Sequence, residues 1–297
     1  MVDERGGLAV VTAGSEVMTG PRLTWALLAV AAAGCTHSAT ERPPGPMVSA
    51  LFAVSADFGA DADGITRAWT ELQDIALRVE KRHRHSHADV ADDLNAVVFG
   101  ELGYEREIES SESRYFQLPQ VINQRRGSCL GLGALYLAIG ERIGIPLDGI
   151  LLPGHFFVRT RGPGGHNIEL LRHGEAMPDA WYRQKYGPWP DSGSAYARPV
   201  SVSELVGIHW FNRGNEARTA GDLAAAEHAY ARAVLEFPDF AEAHASLGAV
   251  RQLRGAFTEA EASYREAARL RPDLPGLERN LELLKRQLDS GTELRTP

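Results

Sequence analysis

Six residues recur at one spacing in the C-terminal part of this chain. Gly214 and Gly248, Gly221 and Gly255, Ala226 and Ala260, Tyr230 and Tyr264, Ala233 and Ala267, and Pro238 and Pro272 all stand 34 positions apart. A fixed period of this length is the signature of stacked helical hairpins. Each unit reads as a helix ending near Gly221-Asp222 or Gly255-Ala256, then an Ala-rich helix stopped by Phe237-Pro238 or Arg271-Pro272. Proline ends the second helix because it lacks the N–H and clashes with the preceding turn. The segment 276–288 (GLERNLELLKRQL) supplies one further helix with a charged surface, as the end of a stack requires. Residues 208–288 are thus two repeats plus a capping helix, and 289–297 read as a disordered tail. So short an array is expected to dock on the domain before it.

The chain has 297 residues, of which 44% are hydrophobic. That is enough for about two domains, and it excludes a disordered chain or a polytopic membrane protein. A formal charge of −8 gives no electrostatic case for nucleic acid. The two cysteines exclude a disulfide scaffold or a thiolate-only zinc site. Residues 23–34 (LTWALLAVAAAG) form an apolar run too short to span a bilayer but suited to a signal peptide, with synthesis starting at Met18 as one option. Ala32-Ala33-Gly34-Cys35 resembles a bacterial lipobox. On that reading 1–34 is removed, Cys35 is lipidated, and 35–50 is a Pro-rich tether. The expected location is the bacterial cell envelope, periplasm-facing, with the membrane reached only through the lipid. A cytoplasmic protein with a misassigned start is the alternative. With Cys35 lipidated, Cys129 has no partner in the chain.

Residues 51–177 carry the chemistry. Ile65, Trp69, Leu72, Ile75, Ala76 and Val79 form one helical stripe, and Leu94, Val97, Val98 and Leu102 a second, with Gly103 as the stop. Between them, His83, His85 and His87 alternate. An extended backbone there would suit a metal, and a solvated linker is the alternative. Further on, Ser128 reads as an N-cap, and Leu130, Leu132, Leu135, Tyr136, Ile139 and Ile143 as a broad apolar helix face. Cys129 therefore falls in a first helical turn, whose unpaired N–H groups favour negative charge. Strands are expected at LDGILL, HFFVRT and HNIELL. A hairpin made from the last two brings His155 towards Glu169. Residues 178–207 are aromatic and aperiodic. They read as an ordered linker, with Trp181, Tyr182, Tyr186 and Trp189 as contacts that hold two domains together and one wall of a cleft as the alternative.

Gly127-Ser128-Cys129 before an apolar helix, then Arg142 to Pro146, a strand-initial His and a strand-borne acid resemble the transglutaminase-like superfamily over 115–178. The motifs N-x-x-R-G-S-C-L-G-L, L-P-G-H-F-F-V-R and N-I-E-L-x-x-x-G-E resemble a bacterial transglutaminase-like family that commonly carries C-terminal tetratricopeptide repeats. The architecture fits over 50–288. The resemblance implies an α+β fold, a papain-like cysteine-hydrolase core followed by an all-α repeat array. It also implies a triad of Cys129, His155 and Glu169, with Asn167 as the alternative third member. Backbone N–H groups at the helix start, and conceivably Gln124, would hold the oxyanion. No cofactor or metal is implied. The activity would be thiol-dependent acyl transfer on a protein or peptide, with a protein partner on the repeats. The alternative is an inactive adaptor that scaffolds an envelope complex, since many relatives lack the Cys. This chain also departs from the superfamily pattern in having Glu169-Leu170 where Asp-Pro is usual, and Leu130 where an aromatic often follows the Cys.

Overall fold

Helix α5 (Cys129–Ile143) is the centre around which the other elements pack. The Ser128 side chain accepts from Gly131 N at its start, and Gly144 closes it in the left-handed conformation (φ 74°). Every residue from Leu130 to Gly140 is buried, so the face seen in the sequence extends all the way round. A helix apolar on all sides must be covered on all sides. Helices α2 (Ala62–His85) and α4 (Leu118–Gln124) pack on it, as do strands β3 (Leu147–Leu152) and β4 (His155–Thr160). The computed structural model describes residues 43–86, 88–110, 112–162, 165–187, 189 and 194–293. The leader, Cys35, His87, the first half of the tether and the last four residues lie outside these.

The sheet is an antiparallel meander, β3-β4-β5-β6, in which β5 is Asn167–Glu169 and β6 is Glu175–Ala176. Pro153 and Gly154 join β3 to β4, with Leu152 opposite His155. Gly154 sits at φ +69°, a value that admits a side chain only at a cost, and the turn delivers His155 as the first residue of its strand. The third strand is shorter than the six residues expected. The Glu169 carboxylate accepts from Leu171 N, and the chain coils through Leu170–Arg172 instead. Two further short strands, β1 (Glu105–Arg106) and β2 (Arg126–Gly127), pair in parallel just before α5.

On the N-terminal side the structure departs from expectation twice. Helix α1 (Pro46–Asp57) begins inside the segment read as tether. Proline suits a first helical turn, and the backbone N–H groups of Met47 and Val48 donate to the two oxygens of Glu141 at 2.9 and 3.0 Å. Helix α2 continues through His85, so His83 and His85 are helical rather than extended. His83 instead contacts Asp93 and His85 the Lys81 carbonyl. Among the described residues, no group of three or more His, Cys, Asp or Glu could hold a metal ion. Helix α3 (Val90–Asn95) runs on through a wider turn, Ala96–Glu101, to Gly103 at φ +65°.

The segment read as an aperiodic linker contains helix α6 (Asp179–Tyr186), and α7 (Val202–Thr219) starts ahead of position 208. Then follow α8 (Leu223–Glu236), α9 (Ala241–Leu253), α10 (Phe257–Leu270) and α11 (Leu277–Glu293), which reaches past 288. Helices α7 and α8 pair, as do α9 and α10. The period has a steric cause. A Cβ on Gly214 would stand 2.6 Å from the Tyr230 ring, and one on Gly248 would stand 2.7 Å from Tyr264. The array shares the main core, which runs without a break from Val48 to Ala243. Phe58 meets Trp210 edge to face at 4.7 Å. Fully buried His209 lies 2.9 Å from Leu205 O and 3.1 Å from Phe116 O.

The substitution Gly248→Ala is expected to cost roughly 1–3 kcal/mol by overpacking against Tyr264, read as a lower denaturant midpoint. An unchanged midpoint would show that the close approach does not set the period.

Candidate active site

Cys129 is the first residue of α5 and is partly exposed. The turn before it is anchored from outside, where Ser128 N donates to Tyr115 O at 2.7 Å. That carbonyl would lie 2.2 Å from a Cβ at position 131, so only glycine admits the segment so close to the helix. The sulfur is thus held at a helix N-terminus by backbone on two sides.

His155 and Glu169 meet because of strand register. Val158 faces Ile168 and Arg159 faces Asn167 across β4 and β5. Residues 155, 157, 167 and 169 therefore share a face of the sheet, with Glu169 diagonal to His155. The imidazole Nε2 lies 2.8 Å from Glu169 Oε2, and both side chains are almost fully buried. Asn167, the alternative partner, is engaged elsewhere. Its amide donates to Met177 O and Asp179, and its oxygen accepts from Arg159. Gln124 is exposed and donates to Gln120, so it faces away from the sulfur's surroundings.

Burial by itself would lower the pKa of His155. Hydrogen bonding to Cys129, then to Glu169, and the charge interactions with both outweigh burial and raise it to about 9. The ring has spent Nε2 on the carboxylate, which leaves Nδ1 for the thiol. Helix α6 roofs this pair. The Tyr186 ring stacks on the imidazole at 4.1 Å and 2°, and Tyr182 stacks on Phe157 at 4.1 Å. Burial pushes the hydroxyl pKa of both tyrosines up, with the Glu169 charge adding to it, so both stay protonated. Tyr186 thus belongs to the site itself. The aromatic run around it was visible in the sequence, but nothing there distinguished a wall of the cleft from an interdomain contact.

An open cleft of about 430 Å³ reaches Cys129 and His155. Its far wall comes from the repeats, through Ile208, Phe211 and Asn215 of α7 and Phe240 just before α9. Sequence reasoning missed these residues. Their part depends on how the array docks, which no local pattern encodes.

Residues 66–206 match the model of the transglutaminase-like superfamily. The chain carries a transglutaminase-like domain. The matched span includes Cys129, His155 and Glu169. A UPF0162 protein of Xylella fastidiosa is 39% identical over 67 residues, covering 22% of this chain and 24% of its own. One of Vibrio cholerae is 27% identical over 117 residues, covering 37% of this chain and 43% of its own. The matches thus span about a quarter and under half of those relatives. Among solved structures, a crystal structure of menin that reveals its binding site for the Mixed Lineage Leukemia protein aligns over 75% of this chain and 65% of its own. The identity there is 14% and the TM-score 0.38.

In this domain Glu169→Gln is expected to move the His155 midpoint down from about 9, followed by imidazole NMR. A midpoint that stays put would mean the carboxylate does not hold the charge. The sign for stability follows from the same shift. The folded value lies above the ordinary 6.5, so the charged ring stabilises the fold. That contribution is complete below about pH 6.5 and is lost as pH rises through about 9, and it should shrink in Glu169→Gln.

Proposed function

We propose that Cys129, His155 and Glu169 form the catalytic triad of a thiol-dependent acyl-transfer enzyme acting on amide bonds of a protein or peptide. The observation that carries this reading is the buried 2.8 Å pair of His155 and Glu169 opening on the cleft that holds Cys129. A buried carboxylate beside a histidine is costly unless both ionise together, and such an arrangement is what an imidazolium needs. In the first step the Cys129 sulfur attacks the acyl carbon. A C–S bond forms and the C–N bond breaks. His155 takes the Cys129 thiol proton as the sulfur attacks, holds it as imidazolium, and gives it to the departing amine. In the second step water or an acceptor amine attacks the thioester, His155 takes the proton of the nucleophile, and the C–S bond breaks. Glu169 keeps the ring oriented and its charge stabilised throughout. In the first turn of α5 the Gly131 and Leu132 N–H groups donate to Ser128, which leaves those of Cys129 and Leu130 for the oxyanion.

The helical array is read as tetratricopeptide repeats that engage a protein. The leader is read as that of an envelope lipoprotein anchored through Cys35. Both extend the same picture, in which an anchored enzyme presents its cleft to protein or peptide in the envelope.

The full chain incubated with peptide amides should give an acyl-enzyme adduct on Cys129 by intact mass, absent in Cys129→Ala. His155→Ala should slow its formation by about 10²–10⁴. A Cys129 that accepts no acyl group, with thiol and fold intact, would overturn the enzyme reading and favour the adaptor. Cells fed labelled palmitate should label the wild type and not Cys35→Ala, and equal labelling of the two would remove the anchor.

A further inference from the structure

The cleft has two unlike walls. One is the transglutaminase-like domain itself, through Cys129, His155 and Leu152. The other is the helical array, through Ile208, Phe211 and Phe240. An acyl group on Cys129 would therefore lie between the domain and the first repeat, in contact with both. The surfaces it meets are mainly apolar, with Asn212 and Asn215 among them. Ile208 and Phe240 are buried, while Phe211 is only partly covered. Ile108 stands at the mouth with 65% of its surface exposed, although it is a large apolar residue.

The charges of the cleft are already committed. Glu107 accepts from the backbone N–H groups of Glu109 and Ser110 and pairs with Arg126 at 2.9 Å. Glu242 pairs through one oxygen with Arg271 at 2.8 Å, while its other oxygen is buried without a hydrogen-bond partner. A charged substrate side chain entering here would lose water and find its counter-charges occupied, which is costly. A neutral, bulky side chain would gain apolar contact instead. The volume of about 430 Å³ is that of a site for one such side chain and its flanking backbone.

We infer that the first repeat supplies the specificity pocket of this thiol site, and that the pocket takes a peptide or protein acyl donor with a bulky neutral side chain on the acyl side of the attacked carbonyl. Phe211 and Ile108 are its specificity-determining residues. This rests on Cys129 being the nucleophile, and the test separates the two claims.

Two peptidyl chloromethyl ketones that share a backbone and differ in one acyl-side residue, Phe against Glu, serve as probes. In each, sulfur displaces chloride as the C–S bond forms. Labelling rates of Cys129 in the full chain are read by intact mass and normalised to iodoacetamide, which has no side chain to recognise. The Phe probe should react roughly tenfold faster or more, the scale on which an apolar pocket discriminates. Phe211→Leu should reduce that ratio severalfold. Because Phe211 also packs on Tyr230 and Phe240, the exposed Ile108→Asp provides a second variant that leaves the core alone, and it should reduce the ratio too. Equal rates, a preference for Glu, or a ratio that neither variant changes would overturn the inference while leaving Cys129 as nucleophile. Failure of Cys129 to react with iodoacetamide would overturn both.

Discussion

The burial of α5 on every side is the constraint from which the other placements follow. A helix with no solvent-facing surface needs helices on one side and a sheet on the other, and each of its two ends is tied down by polar contacts. At its N-terminal end, Ser128 and the Tyr115 carbonyl fix the turn that carries Cys129. Towards its C-terminal end, Glu141 reaches out to hold the start of α1. The sheet that covers the helix then sets, through its register alone, where His155 and Glu169 stand.

The site also shows how a stack of aromatic rings can govern a charge. Tyr186 lies flat on the imidazole and Tyr182 sits behind it against Phe157. Together they cover the histidine ring and keep water from it. With solvent excluded, the His155–Glu169 attraction is weakly screened, which is why two neighbours outweigh the cost of burying the ring.

Much of this was legible in the chain of letters. The 34-residue period anticipated the paired helices because it reports a local steric event, one glycine under one tyrosine ring. Ser128 announced the start of α5 because capping is local as well. The hairpin anticipated the pairing of His155 with Glu169, although only the register separates Glu169 from Asn167, two residues away on the same face. What was not legible was long-range. Glu141 holds the start of a helix within an expected tether from 94 residues away, and α2 runs on through His83 and His85. The contribution of α7 to the cleft needed the docked array, which places residues some eighty positions apart in sequence across one gap.

The docking of α7 has a consequence for how this architecture can vary. His209 contacts the Phe116 carbonyl, next to the Tyr115 carbonyl that holds the start of α5. The first helix of the array is in effect a structural part of the domain it follows, so a cut at the apparent repeat boundary would open the cleft and loosen the turn beneath the sulfur. Beyond α9 the array reaches the cleft wall through Arg271, which pairs with Glu242 and donates to the Tyr196 hydroxyl. Such a chain can lengthen or shorten its array at the distal end, changing what it reaches for, while the proximal helix stays fixed as the hinge-side wall of the site.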